Sequence, residues 1–121
     1  MIATVVLIAI ILIVILKKER MTKTGDIETL LRQSARYAVA AQQDESPMIA
    51  VLHANYAAAY FYAAKDISTD QEIIQATGVN PIEFKKHITA IQDFTSKRTV
   101  NLCPEFGGDV DNYLAQIAGE A

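Results

Sequence analysis

From Ile2 to Leu16 the chain reads IATVVLIAIILIVIL, with one hydroxyl and no charge, and the run stops at Lys17, Lys18, Glu19 and Arg20. Such a run predicts a helix that faces lipid on all sides. Its anchor residues are Ile2, Val5, Val6, Leu7, Ile8, Ile10, Ile11, Leu12, Ile13, Val14, Ile15 and Leu16. Counted from Met1 it reaches only ~24 Å, short of a hydrocarbon core of ~30 Å. Lys17, Lys18 and Arg20 are therefore expected at the interface, where the lysines snorkel or the bilayer thins. No basic residue precedes the run and no small-x-small pattern follows it, which favours an uncleaved transmembrane anchor (1–16) over a signal peptide. The cations follow the span, so the positive-inside rule puts the start of the chain outside and the remainder on the cytoplasmic side.

Residues 17–25 (KKERMTKTG) are polar and without periodicity, and read as a basic juxtamembrane tether. A helical head domain (26–121) follows. Ile27, Leu30, Leu31, Ala35, Ala38 and Ala41 repeat at three and four residues, predicting an amphipathic helix over 27–43. Ser46 and Pro47 then suit the N-cap and first turn of a second helix over 47–66. That helix is apolar or small almost all round and is expected to be central, with alanines admitting its neighbours and Tyr56, Tyr60, Phe61 and Tyr62 filling the spaces between. Its uncharged stretch leaves a second membrane span open as an alternative, against which His53, Asn55 and the tyrosines weigh. Thr69 with Glu72 predicts a capping box and Gly78 a left-handed stop for a short third helix. Asn80 and Pro81 start a fourth over 81–102, with Phe84, Ile88, Ile91 and Leu102 on its apolar face and Phe94 at the edge. A last short helix over 111–118 is expected to cap the bundle through Val110, Leu114 and Ile117. No stretch alternates long enough to predict a sheet, so the fold class is all-α: an N-terminal transmembrane helix and a compact bundle of four to five helices.

Composition changes this picture little, since 51% hydrophobic and 21% charged residues are ordinary for a folded domain. Charge is more informative: the formal net charge is −3, the first twenty residues carry +2, and the rest is therefore acidic. A nucleic-acid partner is disfavoured. The single cysteine, Cys103, has no intramolecular partner and agrees with a reducing compartment.

Chemistry-bearing patterns are few. His53 and His87 lie on different helices without partners at metal-ligand spacing, so no metal or other cofactor is expected. His53, Asn55, Tyr56 and Tyr60 read first as a polar network bridging helices and second as a catalytic group. Asp66 and Asp70 are explained as caps or solvated carboxylates. Lys85, Lys86, Lys97 and Arg98 recur on the fourth helix as candidate partner-binding residues, but Glu83 and Asp93 interrupt them and a solvated face is the first reading. No phosphate loop, nucleophile elbow or CxxC occurs, so neither enzymatic activity nor a small-molecule substrate is expected.

The stretches VLHANYAAAYFYAAKDISTDQEI (51–73) and FKKHITAIQDFTSKRTVNLCPEF (84–106) resemble small single-span proteins encoded by large icosahedral DNA viruses of algae and related giant viruses. The resemblance carries over no catalytic or binding residue. It implies a virion or virus-factory membrane protein, a minor capsid-associated component linking an internal membrane to the capsid. The expected function is thus a non-enzymatic, membrane-anchored structural or interaction protein whose partners are the lipid membrane and a protein, either a capsid or coat protein or its own copies. The alternatives are a cellular membrane-tethered adaptor that recruits a soluble protein, and a small membrane enzyme built on His53 and Tyr60.

Overall fold

The computed structural model describes residues 1–108 and 112–118, and among these every regular element is helical. The order is α1 (Ile2–Gln43), α2 (Pro47–Ile67), α3 (Asp70–Thr77), α4 (Pro81–Leu102), a 3-10 turn (Pro104–Phe106) and α5 (Asn112–Ala118). The bundle expectation holds, whereas the tether does not appear as a break. The apolar run, residues 17–25 and the first helix of the head form one continuous helix. Within the polar stretch Thr22 and Thr24 fold their hydroxyls back onto the carbonyls of Lys18 and Arg20, at 3.1 and 3.0 Å, and so leave the backbone ladder uninterrupted. Gly25 costs about 1 kcal/mol there relative to alanine, too little to break a helix that the head holds just beyond it through buried Ile27.

The helix boundaries follow from the chain's stop and start signals. α1 ends where Asp44 turns extended, its N–H still bonded to the Ala40 carbonyl. Pro47 opens α2, and Ser46 holds the N-cap position without the expected side-chain bond. Thr69 and Glu72 close the full capping box on α3, and Gly78 ends it at φ +71°. A side chain rarely adopts that backbone conformation, which is why glycine belongs there. Asn80 caps α4 by accepting from the Ile82 and Glu83 N–H groups.

α2 packs between α1 and α4, so residues 47–64 form a core helix of the head. The stripe Ile27, Leu31, Ser34, Ala38 and Ala41 of α1 faces Ala50, Ala54, Ala57, Ala58, Phe61 and Ala64 of α2. At the end nearer the apolar run, Ile27, Leu31, Phe61, Ala64 and Ile73 make a core of large side chains. Beyond it the core narrows to Ala38, Ala57, Ala58 and Ile88, with Phe84 touching both clusters. Helices meeting through alanines approach closely, and the fully buried Ser34 hydroxyl donates directly to the Ala57 carbonyl at 2.6 Å.

Several positions differ from their expected roles. On α4, Leu102 and Phe94 are exposed, while Thr95 and Thr99 take the buried line after Ile88. Their methyl groups pack like valine, and their hydroxyls bond back to the carbonyls of Ile91 and Thr95, so burial leaves no polar atom unsatisfied. Tyr56 and Tyr62 lie more than two-fifths exposed on the flanks of α2, because alanines already close the interhelical space. Val110 is outside the described residues, and Leu114 and Ile117 of α5 are exposed rather than buried as a cap. Among the described residues no helix is long and apolar enough to cross a membrane. The uncharged part of α1, Ile2–Leu16, covers ~22 Å at 1.5 Å per residue before charges enter it.

Candidate functional site

The first third of α1, Ile2–Leu16, projects from the head as an arm. Every large apolar side chain from Ile2 to Leu16 is between 48% and 82% exposed, so no side of the arm is covered by the rest of the chain. A helix apolar on all sides is stable only where something other than water surrounds it. Its one hydroxyl is satisfied internally, Thr4 donating to the Met1 carbonyl at 2.6 Å. The arm therefore presents an unbroken apolar surface.

Lys17, Lys18 and Arg20 ring the end of the arm, exposed and in no ion pair among the described residues. One turn further, Lys23 meets Glu72 of α3 at 2.7 Å. This bond, with the Thr69 backbone N–H that Glu72 accepts in the capping box, holds the Glu72 carboxyl below its ordinary pKa. Arg20, Lys23 and Thr24 on α1 and Glu72 and Gln75 on α3 line a crevice floored by Ile27 and Ala76. Sequence reasoning did not single out Lys23, Glu72 or Gln75 as a group. The readable signal was the spacing: Arg20, Lys23 and Thr24 precede Ile27 and Leu31 on the same helical stripe that forms the core, but carry polar groups.

The cations proposed for partner binding do not make one patch. Lys85, Lys86 and Lys97 are exposed, but Lys85 lies roughly 100° around the helix from Lys86, while Lys86 and Lys97 share one line. Arg98 serves the fold instead. Its guanidinium donates to the carbonyls of Asp44 and Glu45, at 3.4 and 2.9 Å, and fastens the α1–α2 turn to α4.

At the same turn, His53 Nδ1 lies 2.6 Å from Asp44 Oδ2, with both side chains about three-quarters covered. Tyr37 stacks on Tyr60 at 5.6 Å between centroids, meets Tyr56 edge-on at 5.3 Å and leans on His53 at 5.5 Å. Asn55, the fourth polar residue of the expected network, points elsewhere and accepts from Gln92 of α4 at 3.1 Å. His53 and Tyr60 are roughly 140–160° around α2 from Asn55, so the group divides into two separate helix-to-helix links. The Asp44–His53 pair orients an imidazole, as catalytic dyads do, but the rings beside it are packed face and edge with no space for a substrate between Tyr37 and Tyr60.

His87 is exposed and lines a shallow depression with Ala41, Gln42, Ile91 and Phe94. Asp70 pairs with Lys65, and Asp66 is exposed. Among the described residues no three His, Cys, Asp or Glu side chains converge to hold a metal ion. Cys103 ends α4, partly covered and free. No protein-family model, no curated protein and no solved structure matches the chain.

Proposed function

We propose that this chain is a non-enzymatic, membrane-anchored interaction protein. The arm Ile2–Leu16 inserts into a bilayer, Lys17, Lys18 and Arg20 sit among the headgroups, and the head is held on the cytoplasmic side, where it binds another protein. The observation that carries this reading is the exposure of the arm on every side, joined without interruption to a helix that is buried in the head. Water is a costly solvent for such a surface: each fully exposed Val, Leu or Ile side chain forgoes roughly 1.5–3 kcal/mol of burial. At ~22 Å against ~30 Å, the arm reaches across only where the lysines snorkel and the bilayer thins.

Flotation tests it. The full chain should rise with phosphatidylcholine–phosphatidylglycerol vesicles through a density gradient and resist extraction by carbonate, whereas a chain lacking residues 1–20 should stay at the bottom, folded and helical. Equal flotation of both chains, or flotation of neither, refutes the anchor. Protease digestion of sealed vesicles carrying the protein tests the side on which the head lies.

Within this reading, the virion role rests on the resemblance of residues 51–73 and 84–106 to membrane proteins of large DNA viruses. A minor component joining an internal membrane to a capsid would use the arm for the membrane and the head for the shell. A tethered cellular adaptor uses the same two parts, and crosslinking in native membranes or particles separates the two: links from the head to shell proteins favour the first, links to soluble factors the second.

A further inference from the structure

The crevice between α1 and α3 lies at a depth that the continuity of α1 fixes. Because the helix runs unbroken from Leu16 to Ile27, Arg20 is ~6 Å and Lys23 ~10 Å beyond the last residue of the arm. The headgroup layer on one side of a bilayer is ~5–7 Å thick, the difference between a core of ~30 Å and a full width of ~40–45 Å shared by two leaflets. An arm embedded to Leu16 therefore puts Arg20 at the level of the lipid phosphates, with the crevice opening directly above.

The lining suits a phosphate ester. Arg20 presents a guanidinium in no ion pair among the described residues, and Lys23 an ammonium shared with Glu72 at 2.7 Å. Gln75 adds an amide donor, while the Thr24 hydroxyl is committed to the Arg20 carbonyl. Two cations against one carboxylate leave one net positive charge, matching the single negative charge of a phosphodiester. Arginine is the side chain whose planar fork best fits two phosphate oxygens.

We propose that this crevice binds the phosphodiester of a membrane phospholipid headgroup, with Arg20 and Lys23 as its cationic partners and Gln75 as a donor. The assignment rests on the membrane reading above. It turns the collar from a diffuse ring of charge into a seat of defined register, so that the head is held at one angle to the bilayer.

The test uses the full chain in maltoside micelles, titrated with dihexanoyl phosphatidylglycerol while amide and side-chain resonances of Thr24, Gln75 and Ala76 are followed by NMR. A saturable shift is expected. Arg20→Gln, at an exposed position, should leave the helicity unchanged and weaken the apparent affinity roughly tenfold, in line with losing a charge-assisted hydrogen bond. Glu72→Gln keeps the capping box, since glutamine serves there too, and frees Lys23 for the phosphate, so it should tighten binding several-fold. A residue with only a structural role would not tighten binding when altered.

Shifts that fail to saturate, or an Arg20→Gln chain that titrates like the parent, overturn the proposal. An equal or stronger response to inorganic phosphate assigns the crevice to a free anion and overturns the lipid assignment. Flotation of the same full chain with vesicles reads the anchor independently. A chain that floats but does not titrate refutes the crevice alone, whereas one that does not float refutes the anchor and the crevice with it.

Discussion

At the residue scale the head is fastened by a few polar side chains placed where the helices come closest. Ser34 is fully buried and gives its hydroxyl to the Ala57 carbonyl, which is possible only because alanines line this contact. Ser34→Ala should cost about 1 kcal/mol in urea unfolding of the head, the net worth of a neutral hydrogen bond. Ser34→Val should cost more, about 1–3 kcal/mol, because two methyl groups enter a contact with no room for them. An equal effect of the two would show that the bond and not the packing decides this position. His53 and Arg98 act likewise at the α1–α2 turn, holding the Asp44 carboxylate and the Asp44 and Glu45 carbonyls. Arg98→Ala should raise amide hydrogen exchange around residues 44–47 while leaving α3 unchanged. Uniformly faster exchange through all helices would mean that the turn is coupled to the whole core.

At the element scale, α1 and α3 are the parts whose stability is most open to adjustment. Gly25 lies exposed inside α1, and a Cβ added there meets nothing within 4 Å. Gly25→Ala should therefore stabilise the helix by about 0.5–1 kcal/mol, read as a raised thermal midpoint of the full chain. A lowered midpoint would mean that the glycine serves a bend in another state of the protein. α3 is short and is held on α1 by Ile73, buried in the core with Ile27 and Leu31, while its capping box and the exposed Lys23–Glu72 bond secure its first turn. The Glu72 carboxyl is held below its ordinary value, first by Lys23 and then by the Thr69 N–H. Its contribution is therefore present above the unfolded-state pKa and is lost as pH falls through the lower, folded one. Acidification across that window should loosen α3, seen as faster amide exchange in residues 72–77, and Glu72→Gln should remove this pH dependence. The same acid response in the variant would place its cause in another carboxylate.

At the scale of the whole molecule, α1 belongs to two environments at once, with an apolar first third outside the head and the stretch from Ile27 onward packed inside it. The continuous backbone fixes the relation between them. Spin labels at positions 12 and 36, introduced with Cys103 replaced by serine, should lie ~36 Å apart in a narrow distribution, as 24 residues of unbroken helix require. A broad or much shorter distribution would mean that the arm swings at Gly25. Such freedom would also remove the fixed depth on which the headgroup crevice depends.

The order and boundaries of α2, α3 and α4 were legible in the sequence, because their signals act locally: Pro47 is preset for the first turn of α2, Thr69 and Asn80 satisfy open donors at the starts of α3 and α4, and Gly78 takes the left-handed stop wherever the helices lie. The apolar character of Ile2–Leu16 was equally legible, being a property of composition alone. The continuity of α1 was not, since residues 17–25 carry no periodic signal and are helical because they join an apolar helix to a packed one. Nor did periodicity reveal that threonines rather than Leu102 would complete the buried line of α4, or that Arg98 would turn inward. Which side of a helix is buried depends on where its neighbours cross it, and the crossing is decided by packing across residues distant in sequence. The crevice belongs to the same class, for Arg20 and Gln75 are brought together only when α3 docks on α1.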